Sequence, residues 1–263
     1  MDVFRGRSPM AAEAKADGSP VTQADLAAND ILLRGLEVLM PGVPVVSEES
    51  LPEGSPWLAW DQYWLVDPLD GTREFVAGRE GFTVNVALME RVGGDVRPTL
   101  GVVQAPASGA TFVGASDLGM SGLGMSGRSA SDHGAWSVKG SDWTPIKATA
   151  PAGSAVAMVS RSHGTQETAA FVEAFERRYG PTSQTAVGSS LKLCEIAAGR
   201  AHVYPRFGPT NEWDTAAGDA VLTAAGGRIL QAGTRMPLAY GKPSLLNPSF
   251  VAVWDAQAEL PEP

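Results

Sequence analysis

Cysteine is nearly absent: Cys194 is the single one in 263 residues. No disulfide can form within the chain, and a reducing, cytoplasmic setting is expected. Histidine is scarce too, at three, which leaves little material for a Cys/His zinc site and directs any metal toward oxygen ligands. No stretch approaches the roughly 18 apolar residues of a membrane helix, and MDVFRGRSPM at the start lacks the apolar core of a secretory signal. Positive charge is in deficit. The net charge of −9 argues against a nucleic-acid polymer or an anionic membrane as partner. It leaves an anionic small molecule open, because a local basic pocket or a bound cation overrides the global field.

What is present suits a globular chain with a sizeable core, 44% apolar and 19% charged. Seven tryptophans read first as core. Residues 20–40 predict a helix with Thr22 as N-cap, Asp25 three residues on, and Ile31, Leu32, Leu36 and Leu39 as its apolar stripe. Strands are expected at 43–46, ending in Ser47-Glu48-Glu49-Ser50, and at 63–67, delivering Asp67 and Asp70 at its C-terminal end. The runs 82–90, 100–107 and 111–115 continue an antiparallel sheet. From Ser116 to Asp142 the pattern fails; LGMSG occurs twice in a Gly/Ser-rich run, read as a flexible surface insertion. A strand over 154–163, a helix over 165–180, a Ser-capped helix through Ala198, a strand, and a small-residue helix over 211–227 follow. The expected class is mixed α/β, an α+β half over 1–147 and an α/β half over 148–263 that together form one catalytic unit.

The stretch Trp64–Phe75, WLVDPLDGTREF, sets two carboxylates against Leu65, Val66 and Leu69. Such charges need compensation. The plain reading is a tight turn, since Asp, Pro and Gly are turn formers. The wider pattern adds a chemical one. Asp25, Glu48, Glu49, Asp67, Asp70 and Asp214 all fall at ends of expected elements, where side chains can converge. A hard cation such as Mg²⁺ takes about six oxygen ligands, with few carboxylates plus water and phosphate. Two such ions about 4 Å apart clamp the oxygens of a phosphoryl displacement. Asp-x-x-Asp-Gly-Thr suits this, with the Leu69 carbonyl between the carboxylates and Gly71 letting backbone approach an anion. A haloacid-dehalogenase reading fails because Pro68 stands where the nucleophilic Asp would be. A calcium EF-hand loop fails for want of a suitably spaced Glu.

The blocks SPVTQADLAAN, VVSEES, WLVDPLDGTREF, FTVNVAL and GSSLKLCEIAAGRAHVYPRFGPTNEWDTAAGDAV resemble the lithium-sensitive, Mg²⁺-dependent phosphatase superfamily that includes inositol monophosphatase. The likeness covers nearly the whole chain and is closest to its CysQ-type 3′(2′),5′-bisphosphate nucleotidases. It implies a layered αβαβα fold and two or three Mg²⁺ ions held by Glu48, Asp67, the Leu69 carbonyl, Asp70 and Asp214. It also implies that Glu48 and Thr72 activate the attacking water, that Asp25 orients the Thr72 hydroxyl, and that the Gly71 and Thr72 amides hold phosphate oxygens. A homodimer and lithium inhibition come from the resemblance alone. The family's first helix is longer; only fourteen residues precede Lys15, so a shortened helix or an upstream start is expected.

Substrate preference follows from three departures. Thr72-Arg73-Glu74-Phe75 matches the nucleotidase form of the motif, where inositol phosphatases carry Thr-Thr-Asn-Phe. Arg206 stands where those enzymes hold sugar hydroxyls with a Glu, and it suits a second phosphate or a base. Ser189 and Lys192, three apart on an expected helix, and His163 match nucleotide-binding positions, with Arg161 nearby. The expected substrate is adenosine 3′,5′-bisphosphate, cleaved to AMP, or its sulfated analogue. The alternatives are a broader inositol or fructose-1,6-bisphosphate phosphatase and, in another class, a catalytically silent nucleotide-binding regulator. The complete carboxylate and threonine set weighs against the last.

Overall fold

A computed structural model describes residues 1, 4–6, 12–14, 20–116, 134–161 and 164–261. The strands are β1 (Ala12–Ala14), β2 (Pro20–Thr22), β3 (Val45–Ser47), β4 (Gln62–Asp70), β5 (Thr83–Val92), β6 (Asp95–Ala105), β7 (Ala110–Ala115), β8 (Gly134–Lys139), β9 (Asp142–Ile146), β10 (Ala155–Ser160), β11 (Thr182–Val187), β12 (Val203–Arg206), β13 (Arg228–Gln231) and β14 (Phe250–Val253). The helices are α1 (Gln23–Leu39), α2 (Thr72–Val76), α3 (Gln166–Tyr179), α4 (Leu191–Ala197) and α5 (Glu212–Ala224).

Two sheets organise the chain. One runs β3-β4-β5-β6-β7-β8-β9 and is antiparallel except for β3 against β4. The other runs β11-β10-β12-β14-β13, with β10 parallel to both its neighbours. Period two in β4 explains why its apolar run is continuous: Trp64 and Val66 join the Leu36 side of α1, while Tyr63 and Leu65 join the core that holds α5. Helices α4 and α5 lie between the sheets, α1 packs on β4, and α3 packs on β10, β11 and β12. The layers are therefore αβαβα, as expected.

α5 is the keystone of the layering because it can approach so closely. A Cβ at Gly101 on β6 would overlap the Ala217 carbonyl of α5. Ala216, Ala217 and Ala220 keep the helix slim, and all three are buried. The first turn of α5 is pinned by Glu212, fully buried, which accepts the N–H groups of Gly241 (2.8 Å) and Lys242 (2.9 Å) and pairs with Lys242 Nζ at 2.7 Å. A buried carboxylate with three donors is well compensated.

Two expectations change. Of the expected α1 stripe, Leu36 is buried and Leu32 packs partly buried against the same cluster, whereas Ile31 and Leu39 face outward. Ile31 is 64% and Leu39 49% exposed, and Asp25 and Asn29 join Leu36 on the buried face, where Asp25 accepts the Thr22 N–H and Asn29 the Ser47 hydroxyl. Residues 134–142, expected to belong to the insertion, instead supply β8 and the start of β9; Trp136 packs inward and meets Trp143 edge-on. Alternation over so short a run hid beneath the Gly and Ser around it. The LGMSG repeat itself lies outside the described residues, as do Lys15 and His163.

Candidate active site

The strand expected to end at Asp67 continues to Asp70. Its pairing with β5 slips between the two Asp residues, at Pro68-Leu69. Pro68 donates no N–H to a ladder, so an irregularity there is natural. The Leu69 N–H turns back to Asp67 Oδ1 at 3.0 Å. Gly71 follows at φ +91°, a left-handed turn that glycine adopts without strain, and starts α2. The chain thus presents two carboxylates, a carbonyl and a helix start within six residues.

Asp67, Asp70 and Asp214 each place a carboxylate oxygen so that all three lie within 4.8 Å of one another. Asp214 comes from the first turn of α5, fixed by a capping box in which it accepts the Asn211 N–H at 2.7 Å. Loss of water raises the pKa of Asp67 well above the ordinary carboxylate value, and the charges of Glu48, Asp70 and Asp214 raise it further. Asp214 is pushed up to about 8, by desolvation first and by Asp70 next. Asp70 is raised by desolvation, opposed by Lys192 and by hydrogen bonds from Ser190 and Asn85. Three carboxylates this close cannot all be ionised cheaply without a cation. The donor set is all oxygen, which fits a hard divalent ion. Glu48 lines the same cleft, at the end of β3, where Ser47 Oγ bonds Asn29 Oδ1 at 2.7 Å.

Thr72 joins the cluster to α1. Its hydroxyl lies 3.3 Å from Asp25 Oδ1 and 3.2 Å from the Leu69 carbonyl, two acceptors for one proton. Asp25 is buried, and its other oxygen takes the Thr22 N–H (2.8 Å) and hydroxyl (2.6 Å). The expected N-cap therefore forms, and the same carboxylate reaches the site.

The opposite wall is cationic. Lys192 and Arg206 line a cavity of about 250 Å³ together with Asp67, Asp70, Asp214, Thr72 and Ser189. Both cations are nearly buried, at 4% and 7% exposure. Lys192 Nζ donates to the Val187 and Ser189 carbonyls and sits 5.0 Å from the centre of the Tyr204 ring. Burial lowers its pKa to about 8 despite Asp70. Arg206 donates to Gly208 O, Ser160 Oγ and Pro209 O. Arg161 points elsewhere: it is exposed and bonds the Ala186 carbonyl. Cys194 is fully buried and its pKa is raised by that burial, as expected of an inert thiol.

One geometric expectation fails. Ser189 is not on a helix with Lys192, because α4 begins at Leu191 and Ser189 sits before it at φ +55°. Both still reach the cavity, through a strained turn and not through helical spacing. Asn85, Thr83 and Ser190, which surround Asp70, were not singled out from the sequence. The signal available was the odd Asn and Thr within the apolar alternation of FTVNVAL.

The Inositol monophosphatase family model matches residues 2–260. The 3′(2′),5′-bisphosphate nucleotidase CysQ of Escherichia coli is 41% identical over 251 residues, covering 95% of this chain and 92% of that protein. Its namesake from Salmonella typhimurium is 38% identical over 250 residues, covering 95% and 92%. The solved structure of CysQ from Bacteroides thetaiotaomicron, a bacterial member of the inositol monophosphatase family, aligns with a TM-score of 0.76 at 34% identity, over 93% of this chain and 88% of that one. The chain belongs to the inositol monophosphatase family.

Proposed function

We propose that this chain is a Mg²⁺-dependent phosphatase that removes the 3′-phosphate of adenosine 3′,5′-bisphosphate, giving AMP and phosphate, and that also accepts the sulfated analogue. The observation that carries the reading is the cavity itself, acidic on the wall of Asp67, Asp70 and Asp214 and cationic on the wall of Lys192 and Arg206. A substrate with one phosphate to lose and a second to be held matches both walls. The curated nucleotidases that share about two-fifths of the sequence support it.

Glu48, Asp67, the Leu69 carbonyl, Asp70 and Asp214 would hold two or three Mg²⁺ ions. When bound, Mg²⁺ neutralises phosphoryl charge and polarises the phosphoryl oxygens. The chain's residues do the rest. Thr72, oriented by Asp25, and Glu48 align a water and accept its proton as it attacks phosphorus in line; the bond from phosphorus to the 3′ oxygen breaks, and that oxygen takes a proton from solvent to leave as the 3′-hydroxyl of AMP. The Gly71 and Thr72 amides orient the non-bridging oxygens. Lys192 and Arg206 give their remaining N–H groups to the 5′-phosphate, and Ser189 and His163 complete the nucleotide side. No covalent enzyme intermediate is needed. In this reading residues 1–147 carry most of the cation ligands and residues 148–263 the nucleotide wall and Asp214. The homodimer and the cytoplasmic setting belong to the same reading, the first resting on the resemblance and the second on the single cysteine.

The test is the ratio of kcat/KM values for adenosine 3′,5′-bisphosphate, inositol 1-phosphate and fructose 1,6-bisphosphate at saturating Mg²⁺. The nucleotide is expected to lead by at least tenfold. A sugar preference would remove the nucleotide assignment and keep the phosphatase; no turnover of any would leave a silent binder.

A further inference from the structure

Asp70 is gripped from two sides, by Asn85 on β5 and by Ser190 at the start of α4. Its Oδ2 accepts the Ser190 N–H at 2.6 Å and the Asn85 side-chain amide at 3.3 Å. The amide oxygen of Asn85 in turn accepts the Ser190 hydroxyl at 2.7 Å. That uses the hydroxyl's one proton, so Thr83 Oγ1, 2.9 Å from Ser190 Oγ, is the donor of that pair. Its own proton is then committed, and its 3.5 Å approach to Asp70 contributes little. All three residues are buried, Asn85 at 1% exposure. Burying an amide is costly unless both ends are used. Here both are used, and one end is on Asp70.

Position makes the grip informative. Asn85 is the β5 residue opposite Asp67, so one amide sits beside both carboxylates of the motif. Ser190 is the N-cap of α4, one residue from Ser189, whose carbonyl holds Lys192 Nζ. The acidic wall and the cationic wall are therefore joined through a single residue. Asp70 Oδ1 accepts no hydrogen bond among the described residues, so the grip leaves that oxygen for a ligand.

We infer that Asn85 and Ser190 are positioning residues that fix Asp70 for a divalent cation and tie the cation site to the Lys192 turn. The inference rests on Asp70 being a cation ligand. Groups that orient ligands from behind typically contribute about 10- to 100-fold in metal affinity.

The experiment is a Mn²⁺ titration of the substrate-free protein, reading free ion by its paramagnetic resonance signal, for the wild type, Asn85→Ala, Ser190→Ala and the double variant. Melting temperatures in chelator establish that each is folded. Asn85→Ala is expected to weaken binding at least tenfold. Ser190→Ala, which keeps its backbone N–H, should weaken it less. The double variant should be no weaker than Asn85→Ala alone, because the hydroxyl acts through the amide. Should Asn85→Ala fail to fold, Ser190→Ala decides. Wild-type protein that binds no Mn²⁺ overturns both the cation reading and this inference. Wild-type binding with unchanged affinity in the folded variants overturns this inference alone.

Discussion

Thr72 Oγ1 lies 3.3 Å from Asp25 Oδ1, across 47 positions of sequence. The same Asp25 caps the start of α1 through Thr22. A helix cap and a candidate acid–base relay thus share one carboxylate. Thr72→Ala should lower kcat by about 10²–10⁴, the usual scale for losing acid–base assistance, with little change in melting temperature. Thr72→Ser, which keeps the hydroxyl, should restore most of the rate. A Thr72→Ala enzyme with near-normal kcat would remove Thr72 from the chemistry.

Asp214 gives a pH dependence of stability whose sign is opposite to that of an ordinary ion-paired carboxylate. Its folded pKa of about 8 lies above the ordinary value of 3.8. The folded state therefore binds more protons between those limits, and stability falls as pH rises through that window. In chelator, the melting temperature should drop between pH 6 and 8.5, and Mg²⁺ should reverse the drop. Asp214→Asn should flatten the slope. A chelated wild type that gains stability over that range would contradict the coupled acidic cluster.

The cationic wall predicts a split between substrates. Hydrogen bonds to charged groups are worth about 1.5–3 kcal/mol, roughly 10- to 100-fold in binding. Lys192→Ala and Arg206→Ala should raise KM for adenosine 3′,5′-bisphosphate by that order and change KM for a simple monophosphate far less. Arg206 also serves the Gly208 and Pro209 carbonyls, so Arg206→Lys is the cleaner probe of its fork. Equal effects on both substrates would sink the second-phosphate subsite.

Packing between the sheets is tested at Gly101. A methyl there meets the Ala217 carbonyl, which is backbone and cannot rotate away. Gly101→Ala should cost about 1–3 kcal/mol or more, read as a lower denaturation midpoint. It should also displace Asp214, since α5 carries that residue, and so weaken Mg²⁺ activation. A stable, fully active variant would show that α5 does not depend on this contact.

Much of this was legible in the sequence where one local rule decides. Thr22 and Asp25 spelled the cap of α1, Gly180 ended α3, and the twelve residues from Trp64 exposed the acidic motif. Position along the chain could not show that Ser190 and Asn85, 105 residues apart, meet on Asp70. Ser189 misled for a physical reason: its left-handed backbone postpones α4 to Leu191, which no spacing rule reveals. β8 and β9 stay hidden in the sequence because glycine and serine flank a short alternation. Apolarity alone points Ile31 and Leu39 inward, whereas Asp25 and Asn29 claim that face through hydrogen bonds.

The most direct test of the account is the product formed from adenosine 3′,5′-bisphosphate, resolved chromatographically, with Mg²⁺ and with chelator. The expected products are AMP bearing its phosphate on the 5′ carbon and an equal amount of free phosphate, with no turnover in chelator. Release of the 5′-phosphate, or turnover that persists without a divalent cation, would contradict the account.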